Sequence, residues 1–404
     1  MLSSSTQEQS RDWHLWSFGM ALFIYGVWGS PTPNNPNWVE VMIAILLVFA
    51  IGFKPLYQTI RIRPFEKTQR WRAITQFFFL WGLFVPLSIG LLKASPLDII
   101  FRDVVGFIFL CFPLFIVDFL TENEKRRHFF LYFCFVIGIL FSIRVLVPHF
   151  LLFRNTTELL YLANSPLVLM SALYLCAAAG YSLYQKISYR GFVKASCFIA
   201  LAALPVMAMF VDLQRASFAA LVLSFIFLFV LGVIKTPFKM IVPAMVLVVG
   251  GIMIEPYLTD IVQSVGLKTS QVGLNMRAQE VRAVWENLSF SGWSILFGQG
   301  WGSSFASPAV GMLNITYTHS LLSYIFLKMG LIGLMICLTY LFVVFQKLVL
   351  LYRHNPIAGT AFIWPFLIPV LLYASHKSFD FGLLLSLIIV SCSASQVKGN
   401  FSVK

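Results

Sequence analysis

The chain has 404 residues, 59% of them hydrophobic, 16% aromatic and only 11% charged, with a mean hydropathy of +0.84. That balance excludes an ordinary soluble domain and fits a polytopic helical membrane protein whose first partner is the lipid bilayer. A net charge of +13 would suggest nucleic acid in a soluble chain; here its placement reports topology, and no nucleic-acid partner is expected.

Apolar runs fall at about 14–28, 39–53, 73–92, 98–120, 129–147, 162–184, 196–213, 216–234, 240–256, 318–346, 357–375 and 381–397. They predict an all-α polytopic membrane protein with about twelve transmembrane helices: nine within residues 1–254 and three within 319–404. Residues 255–318 form one large extracytoplasmic loop, and the whole makes one integral membrane domain. No small-residue cleavage pattern follows the first run, so no cleavable leader is expected. The six cysteines all lie inside apolar segments without metal or redox spacing and read as small hydrophobes. With both termini cytoplasmic, the inner segments hold 19 of the 29 Lys and Arg residues, and the positive-inside rule supports that register. Arg215, the long loop, His319 and the turn His376-Lys377-Ser378-Phe379-Asp380 then face the other side, with Arg102, Arg144 and Arg154 near the same surface. Arginines kept outside against the insertion bias need another reason.

Arg215 lies between two apolar runs, where charge is costly and by default functional, although Asp212 at i−3 offers a simple ion pair. The segment Asn275 to Glu286 reads as a helix capped by Asn275. Its Arg277–Glu280 and Arg282–Glu286 spacings suit surface pairs, while two arginines near a helix start also suit phosphate oxygens. Gly298-x-Gly300-x-Gly302 lacks the context of a dinucleotide site and reads as a flexible turn, with backbone approach to an anion as the alternative. His319 opens the next apolar run and can act as a base near neutral pH, or simply sit at the interface. Lys328, nine residues on, either snorkels or faces a polar cavity. His376 and Lys377 contact substrate or punctuate a helix turn. No P-loop, Asp-x-Asp or metal-ligand spacing occurs, so neither ATP, a metal nor another cofactor is expected.

Taken in order, Arg215, then Arg277 to Trp285 and the glycine cluster, then His319-Ser320-x-x-Ser323 and Gly330 resemble the O-antigen ligase/polymerase superfamily. The resemblance covers residues near 210–335. It implies a GT-C-like membrane glycosyltransferase of the bacterial inner membrane, with its site facing the periplasm. The branch most resembled is the lipopolysaccharide O-antigen ligase, which transfers glycan from undecaprenyl-pyrophosphate to lipid A–core, inverting and without metal. His319, Arg215 and Arg277 would be catalytic; Arg282, Trp285, His376 and Lys377 would bind substrate, with either Arg277 or Arg282 meeting the pyrophosphate. Alternatives within the superfamily are an O-antigen polymerase and a protein O-oligosaccharyltransferase. A multi-helix transporter is the alternative of another class, although no repeat relates the two halves.

Overall fold

A computed structural model describes residues 2–29, 38–61, 70–150, 156–185, 189–212, 214–237 and 276–401. Eleven helices precede residue 238: α1 (Leu2–Trp28), α2 (Trp38–Ile51), α3 (Phe53–Ile60), α4 (Arg70–Leu92), α5 (Leu97–Leu110), α6 (Pro113–Thr121), α7 (Glu124–Phe150), α8 (Thr156–Ala163), α9 (Pro166–Gln185), α10 (Tyr189–Val211) and α11 (Arg215–Lys235). Beyond residue 275 come α12 (Arg277–Leu288), α13 (Gly292–Phe297), the strands β1 (Phe305–Ser307) and β2 (Leu313–Ile315), α14 (Leu321–His354), α15 (Pro356–Leu371), a 3₁₀ turn at Ala374–Lys377 and α16 (Phe379–Phe401). Seven stretches are long and apolar enough to cross a membrane, α5 and α6 forming one of them, and α2, α15 and Phe379–Ser393 are shorter apolar helices. The protein is an all-α multi-pass membrane protein, with one small antiparallel hairpin among the described residues, Phe305 opposite Ile315.

Eleven of the twelve expected runs lie on helices. The run 240–256, the first part of the long loop through Asn275, and Arg154 lie outside the described residues. The run 98–120 is two helices, because Pro113 starts α6 at its first turn and cannot continue α5. The hairpin was not expected from the loop's composition.

The last helix is the centre of the bundle. Phe381, Leu383, Leu384, Leu385, Leu387, Ile388, Ile389 and Val390 are each 2% exposed or less. A helix apolar on every side belongs in the interior, and α16 packs on α5, α6, α7, α9, α14 and α15.

Two local defects fit together and set the geometry beneath the site. Pro86 interrupts α4, and its missing N–H leaves the Gly82 carbonyl without its helical donor. The Trp301 indole N–H fills that vacancy at 2.8 Å, and the Trp301 backbone N–H donates to the Pro86 carbonyl at 3.0 Å. The second defect is in α14, broken at Gly330 with φ 65° and ψ −166°. There Gln299 N–H donates to the Leu327 carbonyl at 2.8 Å and Gly300 N–H to the Lys328 carbonyl at 3.0 Å. A Cβ on Gly298 would stand 2.5 Å from the Lys328 carbonyl, and one on Gly330 2.4 Å from that of Leu296. Both have positive φ as well, so glycine is required twice over. The Gly298–Gly302 segment is therefore a fixed staple between α4 and α14 rather than a flexible turn. Its amides from Gln299 to Gly302 all donate within the protein, which leaves none of these four for an anion.

Candidate functional site

The serines after His319 fix where the histidine sits. Ser320 is the N-cap of α14, its side chain accepting from the Ser323 N–H at 3.2 Å, and the Ser323 hydroxyl donates to Thr318 at 2.9 Å. His319 is thus held one residue ahead of a capped helix, and its side chain is 25% exposed.

Its partner comes from α12. Glu280, Val284 and Leu288 form one buried stripe at four-residue spacing, directed at β1 and α14. Glu280 is only 1% exposed. Its carboxylate accepts the His319 backbone N–H at 3.1 Å, the ring Nδ1–H at 3.1 and 3.2 Å, and the Ser307 hydroxyl at 3.1 Å. Burial alone would raise the Glu280 carboxyl, but the hydrogen bonds from His319, with that from Ser307, outweigh it and hold the group below the usual range. An ionised acceptor at Nδ1 assigns the proton to Nδ1 and the lone pair to Nε2. Spacing suggested that Glu280 pairs with Arg277 on the surface. Instead it is buried and orients the histidine.

Arg277 begins α12, and Met276, in the left-handed region at φ 52°, occupies the N-cap without a side-chain cap. The Arg277 guanidinium lies 5.2 Å over the Tyr373 ring, a cation–π contact, and its Nε is buried without a hydrogen-bond partner. Burial lowers its pKa from arginine's ordinary value, Tyr373 and Glu280 oppose that, and Arg215 adds to it. Arg215 starts α11, and Ala216, the next residue, hydrogen-bonds through its backbone to Tyr373. Tyr373, at the end of α15, therefore joins the two arginine-bearing helices. The structure brings Arg215, Arg277 and His319 into one region, with Glu280 between Arg277 and the histidine.

The remaining expected residues are elsewhere. Arg282 is exposed and donates to Glu286 at 2.8 Å, as its i,i+4 spacing allows. Trp285, 52% exposed, stacks on Phe326 with centroids 6.1 Å apart. His376 and Lys377 do not form an open turn: they are 1% and 3% exposed. His376 lies 5.3 Å from the Tyr324 ring, its Nδ1 donates to the Tyr373 carbonyl at 3.2 Å, and its buried Nε2 has no partner. Burial, with Lys377 adding, takes its pKa down to about 3, so the ring is neutral.

Lys377 belongs to a buried charge cluster. Asp103, fully buried on α5, accepts from Lys328 Nζ at 2.6 Å, Lys377 Nζ at 3.0 Å, the Tyr324 hydroxyl at 3.1 Å and the Gly302 N–H at 3.0 Å. Lys328 also donates to the Ser303 carbonyl at 2.6 Å, so it neither snorkels nor lines a cavity. Burial pulls Lys377 down to about 8, Asp103 opposing and Lys328 adding. One carboxylate thus ties α5, the glycine staple, α14 and the turn before α16. Asp103 was missed, although a carboxylate inside the apolar run 98–120 was itself a signal.

Among the described residues no group of three or more His, Cys, Asp or Glu side chains is placed to hold a metal ion. No family model matches the chain, and no curated protein matches its sequence.

Proposed function

We propose that the protein is an inverting membrane glycosyltransferase of the O-antigen ligase type. In this reading it moves a glycan from undecaprenyl-pyrophosphate to a sugar of lipid A–core on the periplasmic face of the bacterial inner membrane. The observation that carries the reading is the oriented histidine: His319 held through Nδ1 by buried Glu280, beside Arg277 and Arg215.

The acceptor hydroxyl attacks the anomeric carbon as the bond from that carbon to the pyrophosphate oxygen breaks. Its proton passes to His319 Nε2, and Glu280 stabilises the imidazolium that forms. The pyrophosphate leaves on its polyprenyl chain with charge growing on its oxygens, which Arg277 and Arg215 receive. An orphaned guanidinium Nε is a donor in wait for such an oxygen. The leaving group is already activated, so no step calls for ATP. The dozen-helix topology, the periplasmic orientation and the ligase branch rest on the resemblance and on charge placement.

A helix broken midway also occurs in transporters, where exposed helix ends bind the solute. In α14 the glycine staple takes the Leu327 and Lys328 carbonyls at the break, which weighs against that use.

The test is transfer by purified protein from a lipid-linked oligosaccharide to lipid A–core. His319→Ala and Arg215→Ala should each abolish transfer while inserting normally. Near-normal transfer by either variant would sink the assignment. In a deletion strain, long glycan left on the carrier with bare core outside indicates a ligase; single repeat units on core indicate a polymerase.

A further inference from the structure

Beside His319 lies a second group of polar and aromatic side chains, reached through Tyr317. Arg102, on α5, is part-buried, and its Nη2 donates to the Thr316 hydroxyl at 3.4 Å, a weak bond to a neutral group. It forms no ion pair among the described residues, because the carboxylate beside it, Asp103, is committed to Lys328 and Lys377. Tyr161, on α8, is hydrogen-bonded side chain to side chain with Tyr317, and Arg102 is close enough to act on Tyr161 electrostatically. The Tyr317 ring meets the His319 ring nearly edge-on, with centroids 6.1 Å apart and an interplanar angle of 65°.

A part-buried cation in a membrane protein is expensive unless something offsets its charge. A planar guanidinium suits the paired oxygens of a phosphate or carboxylate. Two tyrosines joined through their hydroxyls give an apolar face with a polar edge, the combination on which a sugar ring rests. None of these residues lies on α11, α12 or α15, the helices of the arginine pair and Tyr373. Inversion requires the acceptor to approach the anomeric carbon opposite the leaving group. With the leaving group on the arginines, the acceptor needs contacts other than theirs, and the side chains beside the base can supply them. We infer that Arg102, Tyr161 and Tyr317 form an acceptor subsite for a sugar bearing an anionic substituent, phosphate or carboxylate, next to the hydroxyl that reacts. The inference rests on the transferase reading above.

The experiment measures both binding and turnover with detergent-dispersed lipid A–core. For Arg102→Gln the acceptor KM should rise about tenfold and the acceptor Kd with it, while the donor KM stays within about twofold. Arg102→Lys, which keeps the charge but not the fork, should fall between the two proteins. Phosphatase treatment of the acceptor should remove the wild-type advantage if phosphate is the anion; amidation of its carboxylates should remove it if carboxylate is. Either result supports the subsite. An acceptor Kd and KM unchanged in Arg102→Gln, or a change confined to the donor, overturns it. The binding arm needs no turnover. If the wild type binds the acceptor tenfold tighter than Arg102→Gln yet transfers nothing, the transferase reading fails and the anion subsite stands.

Discussion

Replacing Glu280 by glutamine is the most searching perturbation of the histidine. The side chain keeps its size, and its amide oxygen can still accept from Nδ1. It loses the negative charge that faces the imidazolium, and its amide N–H₂ must meet either the His319 backbone N–H or the Ser307 hydroxyl, where the carboxylate now accepts at 3.1 Å in each case. A hydrogen bond to a charged group contributes about 1.5–3 kcal/mol. The bond that strengthens on proton transfer is Nδ1–H to Glu280, so that range converts to about a 10- to 150-fold fall in kcat at about 1.4 kcal/mol per tenfold. Donor KM should move less than about twofold, since the proposed mechanism has other residues hold the pyrophosphate. Steady-state transfer in lipid nanodiscs, with donor and acceptor varied separately, resolves the two. Glu280→Gln retaining kcat within twofold of wild type, alongside an inactive His319→Ala, would refute the orienting role.

Asp103→Leu leaves Lys328 and Lys377 buried without a counter-charge and should lower stability by about 3–5 kcal/mol; adding Lys328→Met and Lys377→Met should restore most of it, read as thermal midpoints in detergent. Gly330→Ala should lower the midpoint more than an exposed helical Gly→Ala change, because its φ of 65° and the Leu296 carbonyl 2.4 Å from a new Cβ act together. Arg277→Lys keeps charge but not the fork and should cut kcat/KM at least about tenfold, whereas Arg282→Ala, losing only an exposed pair, should change stability by less than about 0.5 kcal/mol. Glu280 is held below its ordinary pKa in the folded protein, so the stability it gives is complete above the usual glutamate range and is lost as pH falls through the lowered value. Thermal midpoints between pH 7 and pH 3 should therefore drop further in wild type than in Glu280→Gln.

The helical membrane class was legible because apolar runs of span length have few other solutions in water or lipid. Arg215, Arg277 and His319, singled out by charge placed against the insertion bias and by a titratable group at a run's start, lie in one region of the structure. Their partners were not legible. Glu280 stood at the right spacing for a surface pair with Arg277, and that local explanation hid its phase with Val284 and Leu288 on a buried stripe. Tyr373 and Asp103 act through contacts across long stretches of chain, which no local pattern encodes. The glycine cluster looked flexible because glycine permits many conformations; the structure uses it for close approach, with α4 and the break in α14 as the surfaces approached.

The partners divide the basic residues around the candidate site into two kinds that sequence could not separate. Lys328 and Lys377 share Asp103, and Arg282 has Glu286. Arg277 and Arg102 form no ion pair among the described residues, and they come from different helices. A cation with a carboxylate partner is already stabilised and gains less from a ligand; a part-buried cation without one gains its counter-charge only when an anion binds. That argument moves the expected substrate contacts away from Lys377 and Arg282 and toward Arg277 and Arg102. In the proposed mechanism the two anions are the pyrophosphate and the substituted acceptor sugar. On the proposed reading, each anion would give a part-buried cation the ion-pair partner it lacks among the described residues, so binding energy would be gained at two points of the site.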